Sequence, residues 1–297
     1  MLKHKGKIIW KQGNKSVIDC TNCGFSHTKP IPKLEDLEKM YSHKFYQKLK
    51  PHYLKKDESE NEYWNTTFDD KLDIFNKKIK KKNKKILDIG CGGGFFLHRA
   101  KKRKFNVLGI EPSSTAAAYA RSNDIPIVES TFESFVKTNK EKFDVIHAKF
   151  FLEHIRDPIQ TCKDCYRLLN SNGIICFTVP NDFNVLQKII TKELNKKPYW
   201  VVPSQHINYF SRVSLESLLK KTKFKPFLSE ASFPLELFLL FGLNYLENNK
   251  IGKKIHSMRM NFESLLLSSQ NNSLKRDLYS YFAEKGIGRE ITVYAKK

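Results

Sequence analysis

Short apolar runs alternate with helix-like stretches through the middle of the chain. The apolar runs, which predict buried strands, are residues 85–90, 106–111, 126–130, 143–148 and 173–180. The stretches between and after them predict helices near residues 94–103, 114–122, 154–169 and 213–222. Strands that alternate with helices form a mostly parallel sheet with helices on both faces. The pattern therefore predicts an α/β, Rossmann-like fold.

The two ends of the chain have different patterns. Residues 1–83 are polar and end in a lysine run, which predicts an N-terminal extension ahead of a core at residues 84–232. Residues 233–286 predict a helical insertion, and residues 287–297, with alternating apolar positions, predict the last strand of the core. The most apolar stretch, residues 233–246, is shorter than the roughly 20 residues that cross a bilayer, so no transmembrane segment is predicted. A cytoplasmic protein is expected, since no signal-peptide pattern is visible.

Charge changes this picture less than its size suggests. The chain has 53 Lys+Arg against 31 Asp+Glu, a formal net charge of +22, which invites a nucleic-acid partner. However, nine of these basic residues are Arg and 44 are Lys, whereas phosphate-reading surfaces favour the bidentate Arg side chain. The composition therefore disfavours a nucleic-acid partner, and what remains of the charge argument is the expectation of an anionic small-molecule partner.

A strand that runs straight into a glycine loop is the sharpest chemical signal. The segment ILDIGCGGG, residues 86–94, places Asp88 ahead of glycines at alternate positions. Glycines permit a tight turn and let a ligand lie against the main chain. A dinucleotide motif would require glycine in place of Phe95, and a carboxylate suits an ammonium or sulfonium group better than a pyrophosphate. Glu111 ends the next strand, where a carboxylate can accept hydrogen bonds from a ribose.

Four segments together resemble the class I S-adenosylmethionine-dependent methyltransferases, and most of all the ubiquinone-type O-methyltransferases and related small-molecule enzymes. They are DIGCGGGFF (88–96), IEPS (110–113), FDVIHAKFFLEHIRDP (143–158) and LLNSNGIICFTVPND (168–182). The resemblance covers about residues 84–230 and the last strand, and it implies a seven-stranded, mostly parallel sheet. It also implies S-adenosylmethionine as the cofactor, with contacts at Asp88, Gly90, Cys91, Gly92, Glu111, Pro112, Thr131, Phe132, Ala148 and Lys149. Thr131 stands where the family commonly has Asp.

Methyl transfer from a sulfonium chiefly requires alignment of the reacting atoms, and a base is needed only where the acceptor loses a proton. His206 and Tyr209 lie in an aromatic loop and are the predicted catalytic residues. His154 is a third candidate, either for acid–base chemistry or for a buried structural role. The predicted acceptor is a small molecule, such as a sugar or natural-product intermediate, methylated on O or N by a monomer or homodimer. The alternatives are an RNA methyltransferase and a non-catalytic metal-binding interaction protein on the same fold.

The N-terminal cysteines suggest a separate metal site. Cys20 and Cys23 stand in a C-x2-C pair and His27 follows at x3, a spacing that suits zinc with His4 as the fourth ligand. Free cysteines in a β-turn, or a disulfide, are the alternatives. The resemblance further implies a lid helix at residues 33–46 whose aromatic side chains line the substrate pocket; they are Tyr41, Phe45 and Tyr46.

Overall fold

The computed structural model describes residues 4–33, 60–268 and 272–297. Its strands are β1 (Gly6–Gln12), β2 (Lys15–Cys20), β3 (Phe25–Lys29), β4 (Lys85–Ile89), β5 (Asn106–Ile110), β6 (Ile127–Val128), β7 (Phe143–Lys149), β8 (Leu169–Pro180), β9 (Asn208–Tyr209), β10 (Lys225–Ala231) and β11 (Glu290–Lys296). Its α-helices are α1 (Asn61–Lys78), α2 (Phe95–Lys102), α3 (Ser114–Ser122), α4 (Phe132–Thr138), α5 (Pro158–Leu168), α6 (Val185–Glu193), α7 (Arg212–Lys221), α8 (Glu236–Leu240), α9 (Asn249–Ser268) and α10 (Asn272–Glu284).

Seven of these strands form the central sheet in the order β10-β11-β8-β7-β4-β5-β6. The pairs from β8 through β6 are parallel, whereas β11 runs antiparallel to both of its neighbours. The predicted fold class, a seven-stranded and mostly parallel Rossmann-like sheet, is confirmed. Because its parallel strands share one direction, β4, β5, β7 and β8 all end at one edge, where open α/β sheets bind ligands.

Both faces of this sheet are covered by apolar side chains. In β4, Ile86 packs into the cluster beneath α1 and α2, while its neighbour Leu87 packs into the cluster on the opposite face. Both side chains are fully buried. Successive side chains of a strand point to opposite faces, so a strand covered on both sides reads as a continuous apolar run. This is why these strands could be predicted from the sequence.

The elements differ from the prediction in several places. The helix expected from residue 154 begins at Pro158, because Asp157 caps it and accepts a hydrogen bond from Gln160 N; residues 152–154 instead form a separate 3₁₀ turn. The strands β1, β2, β3, β9 and β10 and the helices α1 and α4 were not predicted. The predicted lid helix with Tyr41, Phe45 and Tyr46 lies outside the described residues beyond Lys33.

The N-terminal extension contains a small antiparallel sheet in the order β1-β2-β3-β9. Its last strand belongs to the core: Ser26 pairs with Tyr209 and His27 with Asn208. Thr28 N also donates to the carbonyl of Ile207 at 2.8 Å. The extension is therefore joined by backbone hydrogen bonds to the loop that follows β8 and α6.

Buried ion pairs attach the insertion to the core. Lys275 of α10 donates to Asp70 of α1 at 2.9 Å and to Glu230 of β10 at 3.1 Å. A buried pair in good geometry fixes the relative position of the elements that it joins. In the ranges that the structure describes, no helix has the length and apolarity needed to cross a membrane.

Candidate active site

The glycine loop after β4 turns through backbone conformations that L side chains rarely adopt. Gly90, Gly92 and Gly94 have φ angles of +69°, +55° and +76°. The amides of Gly90 and Cys91 donate to the carbonyl of Ile110 at 2.8 and 3.1 Å, which ties the loop to the end of β5. The loop therefore exposes main chain without side chains at the edge of the sheet.

Glu111 lies immediately beside this loop. One of its carboxylate oxygens accepts from Gly92 N and the other from Ser113 N, both at 2.9 Å. Burial raises the pKa of Glu111 to about 7, although these two amide hydrogen bonds oppose the shift. Each carboxylate oxygen can accept a second hydrogen bond. Pro112 lies in the short connection between Glu111 and α3.

Asp88 forms the base of the loop together with a histidine that the sequence analysis did not single out. His147 of β7 pairs with Asp88 across two parallel strands, and its Nδ1 donates to the Asp88 carboxylate at 2.7 Å. Burial lowers the pKa of His147, so its imidazole is a neutral donor. We call Asp88, the glycine loop and Glu111 the glycine-loop cradle. The residues present fit a ligand that has a cationic group and a ribose.

Aromatic side chains extend the glycine-loop cradle toward β6 and β7. Phe151 lies 3.9 Å from the position that a Cβ of Gly90 would occupy, and its ring centroid is 5.9 Å from that of Phe132. Phe132 is buried, and the preceding Thr131 caps α4 by accepting from Ser134 N at 3.3 Å. The two rings form an apolar surface next to the loop, suited to a planar base.

The two predicted cofactor-contact residues at the end of β7 lie in different surroundings. Ala148 is buried in the sheet. Lys149 extends toward α1, with its Nζ 4.5 Å from the centroid of the Trp64 ring and 3.6 Å from the carboxylate of Glu290. Its contribution to cofactor binding stays a prediction.

The three predicted catalytic residues lie together on the neighbouring part of the edge. The ring centroids of His154 and His206 are 5.1 Å apart, and those of His206 and Tyr209 are 6.4 Å apart. His154 Nδ1 donates to the carbonyl of Gln205 at 2.8 Å, and its Nε2 lies 3.8 Å from the buried carboxylate of Glu153. We call His154, His206, Tyr209 and the adjacent Asp182 the polar rim.

Asp182 follows β8 and was placed on this edge by the sequence, but not among the site residues. Its carboxylate lies 4.0 Å from His206 Nδ1. Burial raises the pKa of Asp182 to about 7, against the attraction of Arg289. A carboxylate immediately after a buried strand was the signal that pointed to it.

A cavity of about 500 Å³ lies between the polar rim and the N-terminal sheet. Its lining includes Phe25, Asp182, Phe183, Trp200, Tyr209 and Phe210. The volume falls within the range of small-molecule sites, and the combination of aromatic walls with a few polar groups is typical of them. Lys188 and Lys192 of α6 also line this cavity and add positive charge.

Two groups of side chains have metal-ligand chemistry. The predicted set of His4, Cys20, Cys23 and His27 lies together, with one ligand atom of each within 4.8 Å of every other. Glu153, His154 and His206 form a second group by the same distance. The predicted zinc ligands, from four separate places in the N-terminal extension, thus meet at one point.

The fold and the glycine-loop cradle define a class I S-adenosylmethionine-dependent methyltransferase. The chain belongs to the family described as "Methyltransferase domain", whose model matches residues 61–227. The resemblance stated from the sequence is thereby confirmed.

Curated relatives agree with this class. A "Ubiquinone biosynthesis O-methyltransferase" of Actinobacillus pleuropneumoniae serotype 7 (strain AP76) is 37% identical over 108 residues, 33% of this chain and 46% of the relative. A protein of the same name from Aliivibrio fischeri (strain ATCC 700601 / ES114) is 26% identical over 150 residues, 45% of this chain and 64% of the relative. The chain thus spans about half to two thirds of the length of these relatives.

Solved structures share the fold. The plantazolicin methyltransferase BpumL, in complex with SAH, matches with a TM-score of 0.55 and 16% identity over 88% of this chain and 94% of that chain. A SAM-dependent methyltransferase from Archaeoglobus fulgidus matches with a TM-score of 0.52 and 17% identity over 82% and 99% of the two chains. At this identity the likeness shows the fold.

Proposed function

We propose that this protein methylates an O or N atom of a small-molecule acceptor with S-adenosylmethionine. The observation that carries the proposal is the adjacency of two structures at one edge of the sheet. Phe151 lies beside Gly90 of the glycine loop, and three residues later the ring of His154 meets that of His206 edge-on in the polar rim, at a centroid distance of 5.1 Å. The polar rim links the two, because Asp182 and Tyr209 also line the 500 Å³ cavity, from which an acceptor would extend past the rim toward a methyl group held at the loop.

The glycine-loop cradle would hold the cofactor through Asp88, Gly90, Cys91 and Gly92 at its methionine end. Glu111 would accept hydrogen bonds from the ribose hydroxyls with the lone pairs that its two amide partners leave. Phe132 and Phe151 would flank the adenine. When bound, S-adenosylmethionine supplies an activated methyl group on a sulfonium sulfur.

The polar rim would take the proton of the acceptor. Asp182 faces Nδ1 of His206 at 4.0 Å, a separation that would have to shorten to a hydrogen bond when the acceptor binds. Asp182 would then hold the Nδ1 proton and leave Nε2 of His206 to accept a proton. Tyr209, buried beside them, would form the wall against which the acceptor packs.

The acceptor is proposed to be aromatic or flat and to carry an anionic group. Aromatic rings line the cavity and Lys188 and Lys192 contribute its positive charge. The relatives are named O-methyltransferases, which favours oxygen as the methylated atom, and the aromatic lining of the cavity favours a phenol as its carrier. The cytoplasmic location and the state of monomer or homodimer stay predictions.

Cofactor binding and methyl transfer test the proposal separately. Calorimetry with S-adenosylhomocysteine should give one site per chain. Incubation with methyl-labelled S-adenosylmethionine and a panel of phenols, phenolic phosphates, amines and bulk tRNA should label a phenol most strongly. Labelling of tRNA alone would overturn the small-molecule proposal, and absence of cofactor binding would overturn the whole function.

A further inference from the structure

The three N-terminal strands bring two cysteines and two histidines to one end of their sheet. His4 precedes β1, Cys20 ends β2, Cys23 lies in the turn that follows, and His27 lies within β3. We propose that these four side chains bind one structural zinc ion in a closed Cys2His2 site. This proposal is independent of the methyltransferase function.

The distances between the ligand atoms suit a tetrahedral zinc ion. His4 Nδ1 lies 3.4 Å from Cys23 Sγ and 3.9 Å from Cys20 Sγ. Zn–S and Zn–N bonds at tetrahedral angles place sulfur and nitrogen about 3.5 Å apart. All four ligand atoms lie within 4.8 Å of one another, so a central ion needs only a small contraction of the group.

His27 is already oriented as a ligand. Its Nδ1 donates to the carbonyl of Thr28 at 2.9 Å, which leaves Nε2 without a proton. Nε2 is buried, and among the described residues it has no hydrogen-bond partner. Zinc-bound histidines commonly use their second ring nitrogen in this way. The ring of His4 meets that of His27 edge-on at a centroid distance of 4.6 Å.

The turn between the cysteines presents both sulfurs to the same point. Gly24 N donates to the carbonyl of Cys20 at 2.9 Å, and Gly24 has a φ of +81°. Cys20 and Cys23 are 1% and 5% exposed. A buried thiolate pair is costly without a compensating cation, and a divalent ion bound by two thiolates makes the site neutral.

The strand β1 is held by its backbone pairing with β2 and by few apolar contacts. Ile8 and Ile9 of this strand are 54% and 37% exposed, so burial of apolar side chains holds it weakly. Small modules with little core are commonly stabilised by a metal. An ion bound by one ligand from each strand region would hold β1 against β2 and β3.

Zinc would also stiffen a wall of the acceptor cavity. His27 pairs with Asn208 in β9, and Phe25, two residues earlier, lines the cavity and packs against Phe210 at a ring distance of 5.0 Å. The ion would thus fix the strand on which β9 and Tyr209 are aligned. The consequence for acceptor binding, unlike the metal site itself, rests on the proposed function.

Metal analysis of the full chain tests the site. Elemental analysis by mass spectrometry should find about one zinc per chain after purification without chelators. Replacement by Co²⁺ should produce the intense visible bands of a tetrahedral ion and thiolate-to-cobalt charge transfer. Protein that stays metal-free after loading with Zn²⁺ and desalting, or a disulfide between Cys20 and Cys23 in non-reduced peptides, would overturn the proposal.

Two matched cysteine pairs sharpen the test. Cys20→Ala/Cys23→Ala should lower bound zinc at least tenfold, whereas Cys162→Ala/Cys165→Ala, with the same spacing on α5, should leave it unchanged. His27→Cys should retain zinc in competition with a chromophoric chelator, because it restores a soft ligand. Full zinc occupancy in the first double variant would contradict the site even if that variant were less stable.

Hydrogen exchange tests the coupling to the cavity without any acceptor. Removal of zinc from the wild-type chain should speed amide exchange in residues 25–29 and 207–210, since these pair across β3 and β9. Residues 88–94 should exchange as before. Unchanged protection of residues 207–210 in the zinc-free protein would overturn the coupling, while the metal analysis decides the site.

Discussion

The glycine-loop cradle and the polar rim lie along the same edge of the sheet but are built in different ways. The glycine-loop cradle comes from one stretch, Asp88 to Glu111, and main-chain amides of Gly92 and Ser113 hold its carboxylate. The polar rim is assembled from segments that are distant in the sequence, and the N-terminal sheet supports it through β3 and β9. Cofactor binding thus depends on local backbone, whereas the acceptor side depends on long-range packing.

The largest expected effect is on kcat, and it should come from the polar rim without a change in cofactor binding by the glycine-loop cradle. Asp182→Asn should lower kcat with a phenolic acceptor by about 100-fold or more, because His206 would lose the carboxylate that holds its Nδ1 proton and would no longer act as an effective base. Affinity for S-adenosylhomocysteine should stay within about twofold, because Asp182 is outside the glycine-loop cradle. Steady-state kinetics and calorimetry measure the two quantities. Glu193→Gln, at an exposed position on α6, is the control; an unchanged kcat in Asp182→Asn would remove Asp182 from the reaction.

Glu111→Gln should weaken cofactor binding and leave the acceptor side nearly unchanged. Loss of charge-assisted hydrogen bonds worth about 1.5–3 kcal/mol should weaken S-adenosylhomocysteine by about 10–100-fold. The acceptor KM at saturating cofactor should change little. Calorimetry of Glu129→Gln, a half-exposed carboxylate paired with Arg121, supplies the control. Equal loss in both variants would show that general charge, rather than contact with the ribose, determines affinity.

The pH dependence should also separate the regions. Burial raises the pKa of Glu111 to about 7, so its carboxylate loses charge as the pH falls through that value. Affinity for S-adenosylhomocysteine should then fall by up to about tenfold per pH unit below 7, and Glu111→Gln should abolish this slope. Calorimetry from pH 5.5 to about 8.5 measures both slopes; parallel slopes would exclude Glu111 as the titrating group.

The free energy of unfolding should depend on the ionisation of Glu111 with the opposite sign to cofactor affinity. A carboxyl whose folded pKa is raised binds its proton more tightly in the folded than in the unfolded chain. Its destabilising contribution is therefore complete above about 7 and is relieved as the pH falls toward the ordinary value of 4.5. The difference in thermal stability between Glu111→Gln and wild type should shrink over that interval. Asp182, whose pKa is also about 7, should affect the pH profile of kcat rather than cofactor affinity.

The same contrast between local backbone and long-range packing explains which features could be predicted from the sequence. The loop, Glu111 and the strands were predictable because their determinants are adjacent along the chain. His147 was missed because it meets Asp88 through the register of two strands, 59 residues away. Strand β10 was missed because Pro226 and polar positions obscure its pattern at the edge of the sheet. The pairing of Ser26 with Tyr209 could not be predicted, because the residues around each position carry no local pattern that indicates a strand partner.

The smallest expected effect concerns the backbone of the glycine loop. Gly94→Ala must place a side chain at a φ of +76°, with its Cβ 3.1 Å from that of Ala120. Gly13→Ala meets a similar φ of +58° but has no atom within 4 Å. In each variant the left-handed conformation should lower the free energy of unfolding by about 1–2 kcal/mol, or Tm by several degrees. Gly94→Ala should lower it further, because α3 must move to make room for the new Cβ. Calorimetric scans of both variants measure the difference. If the two losses were equal, dihedral preference alone would explain the glycine, and the close packing of the loop on α3 would contribute nothing to the rigidity of the cradle.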